Sequence, residues 1–126
     1  MKSFFARNTI LFSTFAILLS SGCSKKVEPP KPLAVEQAPT SLDEAFKNAK
    51  AEAKALAVEA TAALQAKDYA KALLALQSLS GRSDLTAVQR DLASRAMLAV
   101  NKALSEQAST GDQKAQQVLQ IRRMTK

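Results

Sequence analysis

Residues Thr86–Thr110 read TAVQRDLASRAMLAVNKALSEQAST, and this stretch decides the fold class. Val88, Leu92, Ala93, Ala96, Met97, Ala99, Val100, Ala103 and Leu104 recur at steps that place them on one wide face of an α-helix. Thr86-Ala87-Val88-Gln89 is a capping box, in which the Thr hydroxyl accepts from the third amide while the Gln reaches back. Gly111 follows the last turn, where helices commonly end. The pattern predicts a helix over 86–110, apolar on so broad a face that it should be the central one.

Working outward, punctuation divides the rest. Ser41-Leu42-Asp43-Glu44 is a second capping box, Asp68 can cap a short helix, Gly81 can end it in the left-handed conformation, and Asp112 can cap a last helix. Helices are therefore expected at 41–66, 68–80, 86–110 and 112–123. Nineteen of the 70 residues from Ser41 to Thr110 are Ala, the best helix former. In the first helix Leu42, Phe46, Ala49, Ala53, Leu56, Ala60 and Ala63 follow a heptad seam. In the second, Tyr69, Ala72, Leu73, Leu76 and Leu79 form one face. Ala115, Val118, Leu119 and Ile121 supply the fourth. The two long helices start 45 residues apart and the two short-helix caps 44 apart, a helical-hairpin period. The expected fold is all-α, a small four-helix domain of two packed hairpins, long-short then long-short.

Asp68-Tyr69 followed by Ala72, Leu76 and Leu79 resembles the second helix of a tetratricopeptide repeat. Lys67 stands where that family usually has Gly, and Leu56, Glu59, Ala60 and Ala63 stand in place of its first-helix signature. The resemblance implies a protein-binding scaffold without catalysis.

Toward the N-terminus the chain changes character. Met1-Lys2-Ser3-Phe4-Phe5-Ala6-Arg7 is a basic start, an apolar run extends from Ile10 to Leu19, and Ser20-Ser21-Gly22-Cys23 is a small-residue exit. Only 15 residues lie between Arg7 and Cys23, whereas a bilayer-spanning helix needs roughly 20, so the segment reads as a signal peptide. The order of charge, apolar run, Gly22 and Cys23 resembles the lipobox of bacterial lipoproteins, with Ser20 where that family usually has Leu. The resemblance implies cleavage before Cys23 and acylation of its thiol. Each buried methylene then contributes about 0.8 kcal/mol of anchoring. Ser24, which is not the Asp that retains enteric lipoproteins in the inner membrane, favours the outer membrane.

From Ser24 to Pro39 the chain holds Lys25, Lys26, Lys31 and all four prolines, a composition suited to an extended spacer. Lys25 and Lys26, next to the lipid, could each add about 1 kcal/mol of attraction to anionic headgroups. The expected organisation is a signal peptide over 1–22, a lipidated Cys23 with a disordered Pro/Lys tether over 23–39, a helical domain over 40–123, and a basic tail over 124–126.

Composition excludes much chemistry. The whole chain carries 18 basic and 11 acidic residues, a net +7, with no His, no Trp and one Cys. Without His there is no imidazole-based triad or metal site, and a lone Cys makes no internal disulfide or zinc knuckle. Removal of Lys2 and Arg7 with the signal leaves a net +5, and Phe46 and Tyr69 as the only aromatics, so base stacking has little material. Gly81 and Gly111 are isolated and form no phosphate-cradling loop. Asp43 and Glu44 suit a first helical turn. Lys47, Lys50 and Lys54, like Arg90 and Arg95, read as solvated faces.

The expected function is therefore a membrane-anchored envelope lipoprotein acting as a non-catalytic helical interaction module. Its partners would be the membrane through Cys23 and another envelope protein or a second copy, with no nucleic acid, small-molecule substrate, cofactor or metal. Besides Cys23, the candidate interaction or packing residues are Phe46, Leu56, Tyr69, Leu73 and Leu76. The alternative is a structural spacer or cell-wall tie that self-associates through the Ala-rich seam. Cys23-Ser24, the Ala-rich heptads and the end at Arg122-Arg123-Met124-Thr125-Lys126 resemble the murein lipoproteins of enteric bacteria, which implies attachment of Lys126 to peptidoglycan. The proline tether, Gly81 and Gly111 depart from that family's single helix.

Overall fold

The computed structural model describes residues 31–125. The signal peptide, Cys23, the first part of the tether and Lys126 lie outside the described residues. Among the described residues there are five helices and no strand: α1 (Ala38–Phe46), α2 (Ala51–Gln65), α3 (Tyr69–Ser80), α4 (Ala87–Ser109) and α5 (Gln113–Met124).

The expected first helix is split. Lys50 is extended (φ −58°, ψ 151°) and begins α2 as its N-cap. The break lets α1 double back, which buries Leu42 and Phe46 against the rest of the chain. Nothing in Lys47-Asn48-Ala49-Lys50 forces this locally, and tertiary burial overrides helix propensity. α1 also starts earlier than expected. Pro39 sits in its first turn, where a missing N–H costs nothing. The Ser41 amide donates to the Gln37 carbonyl at 3.1 Å, so Ser41 lies inside the helix and the expected capping box over 41–44 does not form.

α1 neighbours α2 and α4, α2 neighbours α3, and α3 neighbours α4, while the diagonal pairs make no backbone contact. The first four helices thus close into a ring. The Gln89 side-chain amide donates to the Ala45 carbonyl at 3.1 Å, which sets the end of α1 beside the start of α4. α5 lies outside the ring against α3 and α4. The central role expected of the 86–110 helix is met, although Val88 is exposed and Met97 half-buried.

Two hairpins repeat one turn. At the first, the Lys67 amide donates to the Leu64 carbonyl (3.0 Å) and the Asp68 amide to the Ala63 carbonyl (2.9 Å). At the second, Gly111 donates to Ala108 (3.3 Å) and Asp112 to Gln107 (3.1 Å). Both are Schellman closures, with Lys67 at φ 56° and Gly111 at φ 99° in the left-handed region. Asp68 then accepts from the Lys71 amide at 3.1 Å, and Asp112 from the Ala115 amide at 2.9 Å, capping α3 and α5 as expected. Gly81 ends α3 at the expected place but at φ −73°, in the right-handed region.

The largest fully buried side chains are Phe46, Leu42, Leu73, Leu76, Leu79, Leu104 and Val100. Between them lie alanines. Ala53, Ala57, Ala60 and Ala63 turn inward from α2, whereas Ala49 and Leu56 are half-buried, because the break rephases the seam. Residues 31–37, expected as tether, run along α4: Leu33 and Val35 pack on the core, and Arg95 donates to the Lys31 carbonyl at 3.0 Å.

Thr61 Oγ1 on α2 is buried without a hydrogen-bond partner. An unpaired buried hydroxyl costs about 1–3 kcal/mol, so Thr61→Val, which keeps the shape, is expected to raise the unfolding free energy by about 1 kcal/mol in urea titration.

Candidate functional site

Phe46, Leu73 and Leu76 are enclosed in the core, so of the two roles considered for them, packing is the one the structure shows. Leu56 and Tyr69 are half-buried. Tyr69, in the first turn of α3, lines a cleft with Lys67, Asp68, Gln107 and Lys114, where the two hairpin turns face each other. The Lys114 ammonium closes this cleft, donating to the Asp68 carboxylate at 3.0 and 3.2 Å.

That hydrogen bond, with the one from the Lys71 amide, holds the Asp68 carboxyl below its ordinary range. A depressed carboxylate stabilises the fold above the unfolded-state value, about pH 3.9, and loses this contribution as pH falls through the folded-state value. Asn caps as well as Asp, so Asp68→Asn isolates the charge. The variant is expected to lose less than about 1 kcal/mol at pH 7, since the pair is part-exposed. Its deficit against the parent should shrink toward zero below about pH 3.9 in parallel urea titrations.

A second charged cluster braces the α3–α4 connection. Arg82 donates to both Asp84 oxygens at 2.9 Å and to Glu52 at 2.7 Å, while Lys50 lies 3.7 Å from Asp84. The guanidinium holds the Asp84 carboxyl low, and the two carboxylates hold the Arg82 pKa up. Every charge here is engaged, as befits a clasp between α2 and the loop before α4. Among the described residues, no group of three His, Cys, Asp or Glu is placed to hold a metal ion, and no helix is long and apolar enough to cross a membrane.

One feature without an internal role is an apolar groove of about 210 Å³ between α3 and α5, lined by Ala70, Leu73, Leu74, Gln77, Val118, Ile121 and Arg122. Leu74 is 65% exposed and Ile121 57%. Sequence reasoning placed Ile121 on the packing face and passed over Leu74. The available signal was a leucine one step off the face formed by Ala72, Leu73, Leu76 and Leu79, which an amphipathic helix does not need for its core.

A scan against protein-family models and searches of the curated proteins and the solved structures each return no match.

Proposed function

We propose that this chain is a lipid-anchored protein of the bacterial cell envelope whose helical bundle serves as a non-catalytic docking module. The anchor is Cys23, at the end of the lipobox-like segment, and the outer membrane is its favoured site. The observation that carries the docking role is the α3–α5 groove. Leu74 and Ile121 flank a hollow large enough for one bulky apolar side chain, with Gln77 and Arg122 as polar groups at its side, an arrangement suited to an anchor residue on a helix of another envelope protein.

The alternative, a self-associating spacer or wall tie, loses the route first considered for it. Leu42, Phe46, Ala53, Ala60 and Ala63 of the Ala-rich seam are already enclosed within one chain. A photo-crosslinker at Leu74, in cells that make the protein from its own signal, tests the docking role. One discrete adduct with another envelope protein, lost on Ile121→Asp and not formed from a crosslinker at exposed Val58, supports it. No adduct at Leu74, or an adduct only with a second copy, overturns it.

A further inference from the structure

Arg95 ties the Lys31 carbonyl to α4 at 3.0 Å, and residues 32–36 then line α4 beside Ala99, Lys102 and Glu106. The tether therefore joins the bundle level with Arg95. Arg122 of α5 hydrogen-bonds the Asn101 side chain, which sets the end of α5 near the same level, about 9 Å along α4 at 1.5 Å per residue. Around this junction Leu98 is 40% exposed and Met124 76%, and Lys102 and Arg123 are exposed.

The charge around this junction is net positive. From Asp91 to Lys126 the chain carries six basic residues and three acidic ones. Asp91 lies 3.9 Å from Arg95 and Glu106 4.0 Å from Lys102, exposed pairs of the kind that contribute little, and among the described residues Arg122 and Arg123 have no acidic partner within 4.0 Å. Exposed apolar side chains among an excess of cations are what an anionic lipid surface binds, the apolar groups entering the headgroup boundary and the cations meeting phosphate.

Covalent reach brings that surface to hand. Eight residues separate Cys23 from Lys31 and span at most about 28 Å, whereas α4 alone, with 23 residues, is about 35 Å long. An anchor at Cys23 therefore keeps the side of the bundle that the tether leaves within about 28 Å of the headgroups.

We infer that the face formed by Arg95, Leu98, Lys102, Arg122, Arg123 and Met124 rests on anionic lipid headgroups, which orients the bundle on its membrane. The reach argument rests on the lipid-anchor reading, and the test does not. The chain from Ser24 to Lys126 carries the whole described core and bears no acyl group.

Co-sedimentation of that chain with vesicles of phosphatidylcholine containing phosphatidylglycerol, and with phosphatidylcholine alone, reads the contact directly. Binding is expected only to the anionic vesicles and should weaken with salt. Lys102→Gln with Arg123→Gln is expected to weaken it about 25-fold, at about fivefold per cation, and Met124→Ser several-fold. Lys47→Gln with Lys54→Gln, the same charge removed from the α1–α2 side, should change it less than twofold. Equal loss from both double variants, equal binding to neutral vesicles, or no binding overturns the inference, whatever the acylation state of Cys23 proves to be. A Met124-dependent dimer in sedimentation without vesicle binding overturns it too, in favour of a second copy. Circular dichroism of each variant confirms that its bundle is intact.

Discussion

Phe46→Ala is expected to lower the unfolding free energy by about 3–5 kcal/mol, the range for deleting a buried aromatic ring. Phe46 ends α1 with 1% of its surface exposed, and it is the largest side chain in a core otherwise built from leucines, valine and many alanines. Alanines cannot reach into the space a ring leaves, so the cavity should persist. Domains of this size carry about 5–15 kcal/mol in all, and the loss should undock α1 from α2 and α4. Urea titration followed by circular dichroism measures this, and hydrogen exchange should show the α1 amides losing protection first. A loss under about 1 kcal/mol would mean that α1 does not close the ring.

Leu76→Ala should cost about 2–5 kcal/mol, while Leu74→Ala, two residues earlier, should change stability by no more than about 0.5 kcal/mol. Leu76 is completely enclosed on the face of α3 that meets α2 and α4, and Leu74 opens onto the α3–α5 groove. The contrast assigns one leucine to the fold and leaves the other free for the proposed docking. Equal effects would show that α3 is rotated from the orientation described. The Leu74→Ala protein, intact in urea titration, also gives a clean control for the crosslinking experiment.

What was legible in the sequence depended on whether a side chain acts locally. Asp68, Thr86 and Asp112 cap helices in the structure because each needs only an oxygen within reach of an amide two or three residues on. The all-α class and the hairpin period followed from alanine content and from those caps. The split at Lys47–Lys50 was not legible, since no glycine or proline marks it and its cause is the burial of Leu42 and Phe46 against helices that come later in the chain. Gly81 and Gly111 look alike in sequence. Only Gly111 takes the left-handed conformation, and Lys67 takes it at the other hairpin, where the Schellman bonds impose it. The packing of residues 31–37 on α4 was hidden for the same reason, because Leu33 and Val35 acquire their partners only after α4 exists.

The candidate site divides along the same line. Of the five residues singled out beside Cys23, Phe46, Leu73 and Leu76 are core, since an apolar periodicity marks burial and is silent on binding. The groove is a product of two helices 40 to 50 residues apart in sequence, and its strongest member, Leu74, was visible only as a leucine off its helix's apolar face.

The most direct test of the central claim is the intact mass of the protein extracted from membranes, beside a Cys23→Ser variant. The account predicts a chain that begins at Cys23 and carries two or three acyl groups, with both the acyl mass and membrane retention lost in the variant. An unmodified chain, released in soluble form whether or not Cys23 is present, would contradict it.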